Sequence, residues 1–211
     1  MTNSPVFAIG PDGWLAPPSV RTPSPNYGGV MLPDLVVMHF TATTTRQRAI
    51  DILTDPDRPQ GRVSAHVVID RDGRVDQLLP FTTVGWHAGV SEWGHRRGLN
   101  ATSIGIELVN AGPVTPAPHG QGWQADDGTR LPPPSSVREA THRLEQHPRQ
   151  WEVFAPPQIA AAKALVLQLA ATYPITEIVG HDCIAPTRKI DPGPVFPWPL
   201  PSPPDALRES G

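Results

Sequence analysis

Two histidines of this sequence stand where predicted strands end. His39 closes the apolar, β-branched run 35–40, and His181 directly follows the apolar segment 177–180. Asp191 comes shortly after His181, in a segment rich in polar residues. Two imidazoles and a carboxylate form a three-ligand set that suits zinc, with the fourth position left for water. These three residues are therefore a candidate metal site.

Two further charged residues are candidates for chemistry beside such a site. Glu107 lies inside the apolar segment 102–109. Lys189 precedes Asp191 by two positions, so in an extended backbone their side chains project to the same side. A carboxylate can act as a general base, and a cation can stabilise an oxyanion. Spacing alone leaves a second interpretation open, with hydrogen-bonded structural histidines, a solvent-facing glutamate and a surface ion pair.

Composition excludes several classes of protein. The 17 Lys+Arg and 20 Asp+Glu give a net charge of -3, and no basic run occurs, so we predict no nucleic-acid partner. The single cysteine, Cys183, excludes an intramolecular disulfide framework. The sequence has no apolar stretch of roughly 18 residues and no signal-peptide pattern at residues 1–20. We therefore expect no membrane insertion and a cytoplasmic location at synthesis.

Proline distribution predicts the organisation of the chain. The 28 prolines crowd into both ends and one internal region, and leave a proline-poor centre that a sheet requires. Residues 1–33 are predicted to be a Pro-rich extended leader that wraps over the domain. Residues 34–200 are expected to form one catalytic domain, and 201–211 a polar C-terminal tail.

Hydrophobic periodicity predicts the elements of this domain. Apolar or alternating runs predict strands at 35–40, 65–69, 75–79, 102–109 and 177–180, the second and third joined by an Asp-Gly turn. Helical spacing predicts helices at 43–53 and 158–172. Strands interleaved with helices indicate an α/β fold, with a central mixed sheet flanked by helices. The candidate ligands at the strand ends would make a zinc cleft there.

Residues 112–157 interrupt this pattern with a Pro/Gly-rich insertion. We predict at most one helix there, at 136–146, where Val137, Ala140 and Leu144 share a face. Three aromatic residues give the insertion some capacity to pack or to line a groove: Trp123, Trp151 and Phe154. Long loops of this kind are commonly functional, so we expect the insertion to cover one side of the cleft and to restrict substrate entry.

Five blocks, in order, resemble the zinc-dependent N-acetylmuramoyl-L-alanine amidase family (amidase type 2). The blocks are residues 37–43, 63–73, 85–89, 103–110 and 180–194. The family includes recycling amidases, endolysins of the T7-lysozyme type and peptidoglycan recognition proteins. The resemblance implies hydrolysis of the amide between the lactyl group of N-acetylmuramic acid and L-alanine of peptidoglycan or soluble muropeptides.

The resemblance also implies roles for individual residues. It places one zinc ion on His39, His181 and Asp191, where some relatives carry cysteine at the last position. It makes Glu107 the general base toward the attacking water, and Lys189 the cation that stabilises the oxyanion. Both zinc chemistry and a positioned carboxylate are consistent with amide hydrolysis near neutral pH.

Other residues of the matching blocks are candidates for substrate contact. His87 and Trp86 occupy the block that borders the substrate groove, although Trp86 could equally pack. Asn110, at the end of the catalytic strand, is a further candidate, with capping of the strand end as the alternative. Cys183 lies near His181, but the third ligand position matches Asp191, which disfavours a metal contact by the thiol.

Alternative functions remain open from the sequence. One is a catalytically silent module that binds peptidoglycan or muropeptides, although an intact Asp191 argues against it. A cytoplasmic enzyme would meet recycled muropeptides, whereas a phage endolysin would reach the wall through a holin, and a toxin would be delivered to a rival cell. We expect a monomer.

Overall fold

Strands and helices alternate along the chain, as the hydrophobic periodicity predicts. The computed structural model describes residues 6–198 and residue 200, so the predicted tail at 201–211 lies outside the described residues. In chain order the strands are β1 (Val20–Arg21), β2 (Leu35–Phe40), β3 (Val67–Ile69), β4 (Val75–Gln77), β5 (Glu92–Trp93), β6 (Arg96–Arg97), β7 (Ser103–Leu108), β8 (Pro113–Pro116), β9 (Trp123–Gln124), β10 (Val137–Ala140), β11 (Arg149–Glu152) and β12 (Glu177–Gly180). The α-helices are α1 (Arg46–Thr54), α2 (Pro156–Thr172) and α3 (His181–Ile184).

Six of these strands form the central sheet, in the order β1-β4-β3-β7-β2-β12. Strands β3, β7, β2 and β12 run parallel, whereas β4 returns antiparallel to β3 through the predicted Asp-Gly turn. Gly73 adopts a φ of 87° in that turn, a conformation that favours glycine. The sheet is therefore mixed and the fold is α/β, which confirms the predicted class.

The register of the parallel strands sets the positions of the chemical side chains. His39 pairs with Glu107 across β2 and β7, so the two side chains lie on the same face. Gly180 pairs with Met38 across β12 and β2, which places the next residue, His181, beside the end of β2. Three predicted site residues thus meet at the carboxyl ends of adjacent strands.

Alternation along the strands separates a core face from the face that bears the site. Val36, Met38, Ile104 and Ile106 point to one face and pack in a cluster with the buried side chains of α2. His39 and Glu107 occupy alternate positions and so point to the opposite face. On that face, α1 covers part of the sheet with its buried Ala49, Ile50 and Leu53.

The N-terminal leader belongs to the same folded unit as the sheet. It is largely extended, and its short strand β1 pairs with β4 at the edge of the sheet. Leu15 and Met31 are buried in the main hydrophobic core together with strand and α2 residues. The described part of the leader therefore contributes to the core while it runs across the domain.

The insertion departs from the prediction, because residues 136–146 form no helix. Val137 and Ala140 lie in β10, which pairs with β11 in a four-stranded antiparallel sheet, β10-β11-β8-β9. Leu144 lies beyond the strand and is 42% exposed. The helical spacing rested on only three apolar residues. In the structure this segment forms a strand that pairs with the next strand along the chain, Arg149–Glu152.

A buried ion pair ties the insertion to the hairpin of the central sheet. The carboxylate of Glu152 accepts hydrogen bonds from Arg71 Nε and Nη2 at 2.7 and 2.9 Å, and from the Ala111 amide at 2.7 Å. Glu152 is 1% exposed. Arg71 also donates to the carbonyl of Thr44 at 2.8 Å. The bidentate geometry makes this pair a structural link between the two sheets.

We predict that Arg71→Ala lowers the free energy of unfolding by about 3 kcal/mol, since it leaves the Glu152 carboxylate buried and unpaired. This loss lies at the low end of the range usual for a broken buried ion pair, because the Arg71 side chain is 20% exposed. Arg97→Ala is the matched control, because its partner Glu92 and Arg97 itself are 61% and 81% exposed. Urea unfolding of both variants checks this, and equal losses would contradict it.

Candidate metal centre

Three buried side chains converge at the carboxyl end of the central sheet. The Nδ1 atoms of His39 and His181 lie 2.9 Å apart, and each lies 3.0 Å from Oδ2 of Asp191. The three residues are 1%, 2% and 6% exposed. His39 ends β2, His181 begins α3 directly after β12, and Asp191 lies on the loop that follows. The structure therefore brings together all three predicted ligands.

The protonated nitrogen of His39 follows from its neighbours. His87 Nε2 lies 3.1 Å from the carbonyl oxygen of Ser103, so this nitrogen must donate. In the neutral ring His87 Nδ1 is then an acceptor, and His39 Nε2, at 3.1 Å, donates to it. His39 Nδ1 is left without a proton.

His181 has the same arrangement with a backbone partner. Its Nε2 lies 3.1 Å from the carbonyl oxygen of Ala88 and donates to it, which leaves Nδ1 unprotonated. Two imidazole lone pairs and the carboxylate of Asp191 therefore point at one another in a buried site. Three acceptors at this separation are stable only around a cation, so these residues fit a bound metal ion.

The pKa shifts agree with neutral imidazoles. Burial, together with the nearby His181, lowers the pKa of His39 to about 4. Burial and the neighbouring His39 also hold the pKa of His87 well below its ordinary value. The rings of His39 and His87 are thus uncharged near neutral pH. The uncharged form is the one in which the His39 imidazole can bind a metal.

A cavity of about 210 Å³ gives access to the three ligands. Its wall includes Glu107, which lies on the same face of the sheet as His39, together with Lys189 and Trp86. Arg58 and Ile52, which the sequence analysis did not single out, also line it. The predicted general base, the predicted cation and the candidate metal ligands therefore share one cavity.

Glu107 is electrostatically unusual within this cavity. Burial raises the pKa of its carboxyl well above the ordinary value, and the charge of Asp191 raises it further, while Lys189 opposes the shift. Its Oε2 atom is buried and has no hydrogen-bond partner among residues 6–198 and 200. A carboxyl group with a raised pKa and an open acceptor is suited to take a proton near neutral pH.

Of the three predicted substrate contacts, the cavity includes two. Trp86 and His87 line it, but both ring nitrogens of His87 are engaged by His39 and Ser103. Asn110 is 1% exposed, and its side chain donates to the Glu152 carbonyl and accepts from the Gly112 amide. These contacts favour the alternative for Asn110, capping of the strand end, because its amide group is committed to the turn after β7.

Cys183 lies outside the group of converging ligands. Among the described residues, the group that could hold a metal ion comprises His39, His181 and Asp191, and Cys183 is a partly exposed residue of α3. Burial raises the pKa of the thiol, and the nearby Asp182 carboxylate adds to this shift. These surroundings favour the protonated thiol over the thiolate that a metal requires.

The insertion supports the site from behind and does not line it. None of the described residues in the cavity wall comes from residues 112–157, and the expected restriction of substrate entry by the insertion stays a prediction. His142 Nε2 and Arg143 Nε instead contact Asp182 Oδ2 at 3.1 and 2.9 Å, which holds α3. Trp151 packs against Gly193, where an added Cβ would lie 2.9 Å from its ring. Trp151, His142 and Arg143 of the insertion thus contact the helix and the loop that carry the candidate ligands.

No helix in the described part of the chain is long and apolar enough to span a bilayer.

Comparison with known proteins identifies the family. A family model described as N-acetylmuramoyl-L-alanine amidase matches residues 29–194. The chain is 34% identical over 206 residues to the 1,6-anhydro-N-acetylmuramyl-L-alanine amidase AmpD of Salmonella typhimurium SL1344, covering 89% of each protein. It is also 34% identical to the N-acetylmuramoyl-L-alanine amidase AmiD of Escherichia coli K12, over 78% of this chain and half of AmiD.

Solved structures give the same result for the fold. A crystal structure of AmpD shares 30% identity and a TM-score of 0.64, over 90% of this chain and 95% of that chain. E. coli AmiD in complex with anhydro-N-acetylmuramic acid-L-Ala-D-γ-Glu-L-Lys shares 31% identity and a TM-score of 0.56, over 90% of this chain and 62% of that chain. Family model, curated relatives and solved structures agree that this chain belongs to the N-acetylmuramoyl-L-alanine amidase family.

Proposed function

We propose that the chain binds one zinc ion through His39, His181 and Asp191 and hydrolyses the amide between N-acetylmuramic acid and L-alanine. The observation that carries this proposal is the convergence of three unprotonated ligand atoms in the cavity that also contains Glu107 and Lys189. The family supports the reaction, and the donor set supports the metal.

The donor set suits zinc in number, type and spacing. Catalytic zinc sites use three protein ligands from histidine and carboxylate and keep one position open. Tetrahedral zinc with bonds of about 2.0–2.1 Å separates its ligand atoms by roughly 3.3 Å. The observed separations of 2.9 and 3.0 Å require only small outward movements of the side chains.

Glu107 and Lys189 supply proton transfer and charge stabilisation. Zinc, when bound, acts as a Lewis acid that lowers the pKa of a water to about 7 and polarises the amide carbonyl. Glu107 accepts a proton from the attacking water and returns it to the leaving amine nitrogen as the C–N bond breaks. The Lys189 ammonium faces the cavity and stabilises the negative charge that develops on the carbonyl oxygen.

We infer that soluble 1,6-anhydro-muropeptides are the preferred substrates. The AmpD of Salmonella typhimurium SL1344, whose name specifies the 1,6-anhydro sugar, matches this chain over 89% of both proteins. Trp86 and Arg58 in the cavity wall offer an apolar surface and a cation to a sugar and an acidic stem peptide. The predicted cytoplasmic location is compatible with such substrates, and it stays a prediction, as does the monomeric state.

Mass spectrometry of digests tests this function. The purified protein is incubated with anhydro-muropeptides and, separately, with intact peptidoglycan, with and without a chelator. We expect free stem peptides and anhydro-N-acetylmuramic acid from the soluble substrate, and no products after chelation. Cleavage of the intact wall alone would change the substrate class. A zinc-loaded protein that cleaves neither substrate would favour the silent binding module.

A further inference from the structure

We propose that the two-residue segment His87–Ala88 positions both histidine ligands of the metal, and that His87 is a positioning residue with no contact to substrate. This proposal rests on the proposed zinc site, and it concerns residues that are not themselves ligands. It reassigns His87, which the sequence predicts to contact the stem peptide or the sugar.

The side chain of His87 determines which nitrogen of His39 faces the metal. Its ring is hydrogen-bonded on both edges, to the Ser103 carbonyl and to His39 Nε2, each at 3.1 Å. His87 is only 9% exposed. It therefore has no free donor or acceptor for substrate. By accepting the Nε2 proton of His39, it keeps His39 Nδ1 free as a ligand.

Strand β7 leaves room for this ring. A Cβ added to Gly105 would overlap the His87 imidazole. Gly105 is the strand position between Ser103 and Glu107, on the face that carries His39. The absence of a side chain at this one position allows the His87 ring to pack against β7 next to His39, with the two ring planes at 84°.

The backbone of Ala88 performs the same task for His181. Its carbonyl oxygen accepts from His181 Nε2 at 3.1 Å, which frees His181 Nδ1 as a ligand. The same oxygen accepts from Arg188 Nη2 at 2.8 Å, and Arg188 also donates to the Val90 carbonyl. Arg188 therefore fixes the acceptor that orients His181.

A third side chain fixes the backbone of the segment. Oδ1 of Asn100 accepts from the amides of His87 and Ala88, at 3.1 and 2.7 Å. Asn100 and Arg188 thus hold the segment from its amide and carbonyl sides. One short segment, held from its amide and carbonyl sides, thus orients His39 of β2 and His181 of α3.

The test compares His87→Phe with His87→Gln. Phenylalanine fills the space but accepts no hydrogen bond, whereas a glutamine amide can accept from His39 and donate to Ser103. We expect His87→Phe to weaken zinc binding about 10- to 100-fold, measured by competition with a chromophoric chelator, and His87→Gln to recover part of the loss. At saturating zinc, the KM for substrate stays close to the wild-type value.

NMR of ¹⁵N-labelled histidine in the metal-free protein gives a readout that does not depend on zinc. In the wild type we expect the neutral His39 ring to carry its proton on Nε2. In His87→Phe we expect a mixture of the two neutral tautomers, with the proton on Nδ1 or on Nε2. Arg188→Gln, at an exposed position, provides a second variant if His87→Phe does not fold. We expect it to weaken zinc binding several-fold.

The outcomes separate this proposal from the proposed function. A wild-type protein that binds no zinc would overturn the metal site itself. Wild-type zinc affinity in both His87→Phe and Arg188→Gln, or a raised KM with unchanged zinc affinity, would overturn the positioning role and restore substrate contact by His87.

Discussion

Replacing Glu107 by glutamine is expected to lower kcat by about 10²–10⁴-fold, the range typical of a lost general base. The side chain keeps its size, and Glu107 is not one of the converging ligands, so zinc affinity should change little. Glu92→Gln is the matched control, because its side chain is 61% exposed and lies outside the cavity wall. Steady-state kinetics with an anhydro-muropeptide and zinc competition measure the two effects separately.

The same substitution should stabilise the metal-free protein at higher pH. Burial raises the pKa of Glu107 in the folded wild-type protein, so its protonated carboxyl group favours the folded state at low pH. This contribution to the free energy of unfolding is lost as the pH rises through the folded-state pKa. Glutamine does not titrate. The free energy of unfolding of Glu107→Gln, relative to wild type, should therefore increase from about pH 4 to pH 8.

Urea unfolding of the metal-free proteins at several pH values measures this trend. A glutamine variant that retains wild-type kcat would refute the role of Glu107 as base. A difference in stability that does not vary with pH would refute the raised pKa. A gain in stability with a loss of activity would show that the buried carboxyl group is kept for catalysis.

Replacing Asp191 by asparagine is expected to abolish measurable activity and to weaken zinc binding by more than about 100-fold, beyond the effect typical of residues outside the ligand set. Asparagine has a similar shape but lacks the negative charge that balances a divalent cation. The Nδ1 atoms of His39 and His181 lie 2.9 Å apart and would still converge with a side-chain oxygen at position 191. The loss would therefore measure the missing negative charge.

Asp182→Asn is the matched control for this prediction. Asp182 neighbours His181 in the chain, but its carboxylate contacts His142 and Arg143. We expect lower stability from this variant and zinc affinity within about tenfold of wild type. Cys183→Ser should also keep zinc affinity. Equal losses in the Asp191 and Asp182 variants would refute the assignment of Asp191 as the charged ligand.

Much of the fold follows from local pattern. The apolar runs at 35–40 and 177–180 are strands with the predicted bounds, and the long helix begins two residues before its predicted start, at Pro156. The Asp-Gly turn forms the expected hairpin. These elements are regular and buried on at least one face, so hydrophobic periodicity identifies them.

The insertion was predicted less well, for a physical reason. Its strand β10 is stabilised by pairing with β11, the next strand along the chain, and by burial of Trp151. A helix predicted from three spaced apolar residues takes no account of such pairing. Its link to Asp182 through His142 and Arg143 likewise depends on the tertiary fold.

Residue types and their order in the chain were sufficient to single out the residues proposed as metal ligands, base and cation, because these residues lie in short blocks that match a family. Tertiary structure alone decided what each side chain contacts. The register of β2 and β7 places His39 beside Glu107, and Gly105 admits the His87 ring next to His39. Asn110, in a matching block as well, turns into the protein to bond Glu152 and Gly112. Hydrogen-bond partners far apart in sequence decide these roles, and no local pattern encodes them.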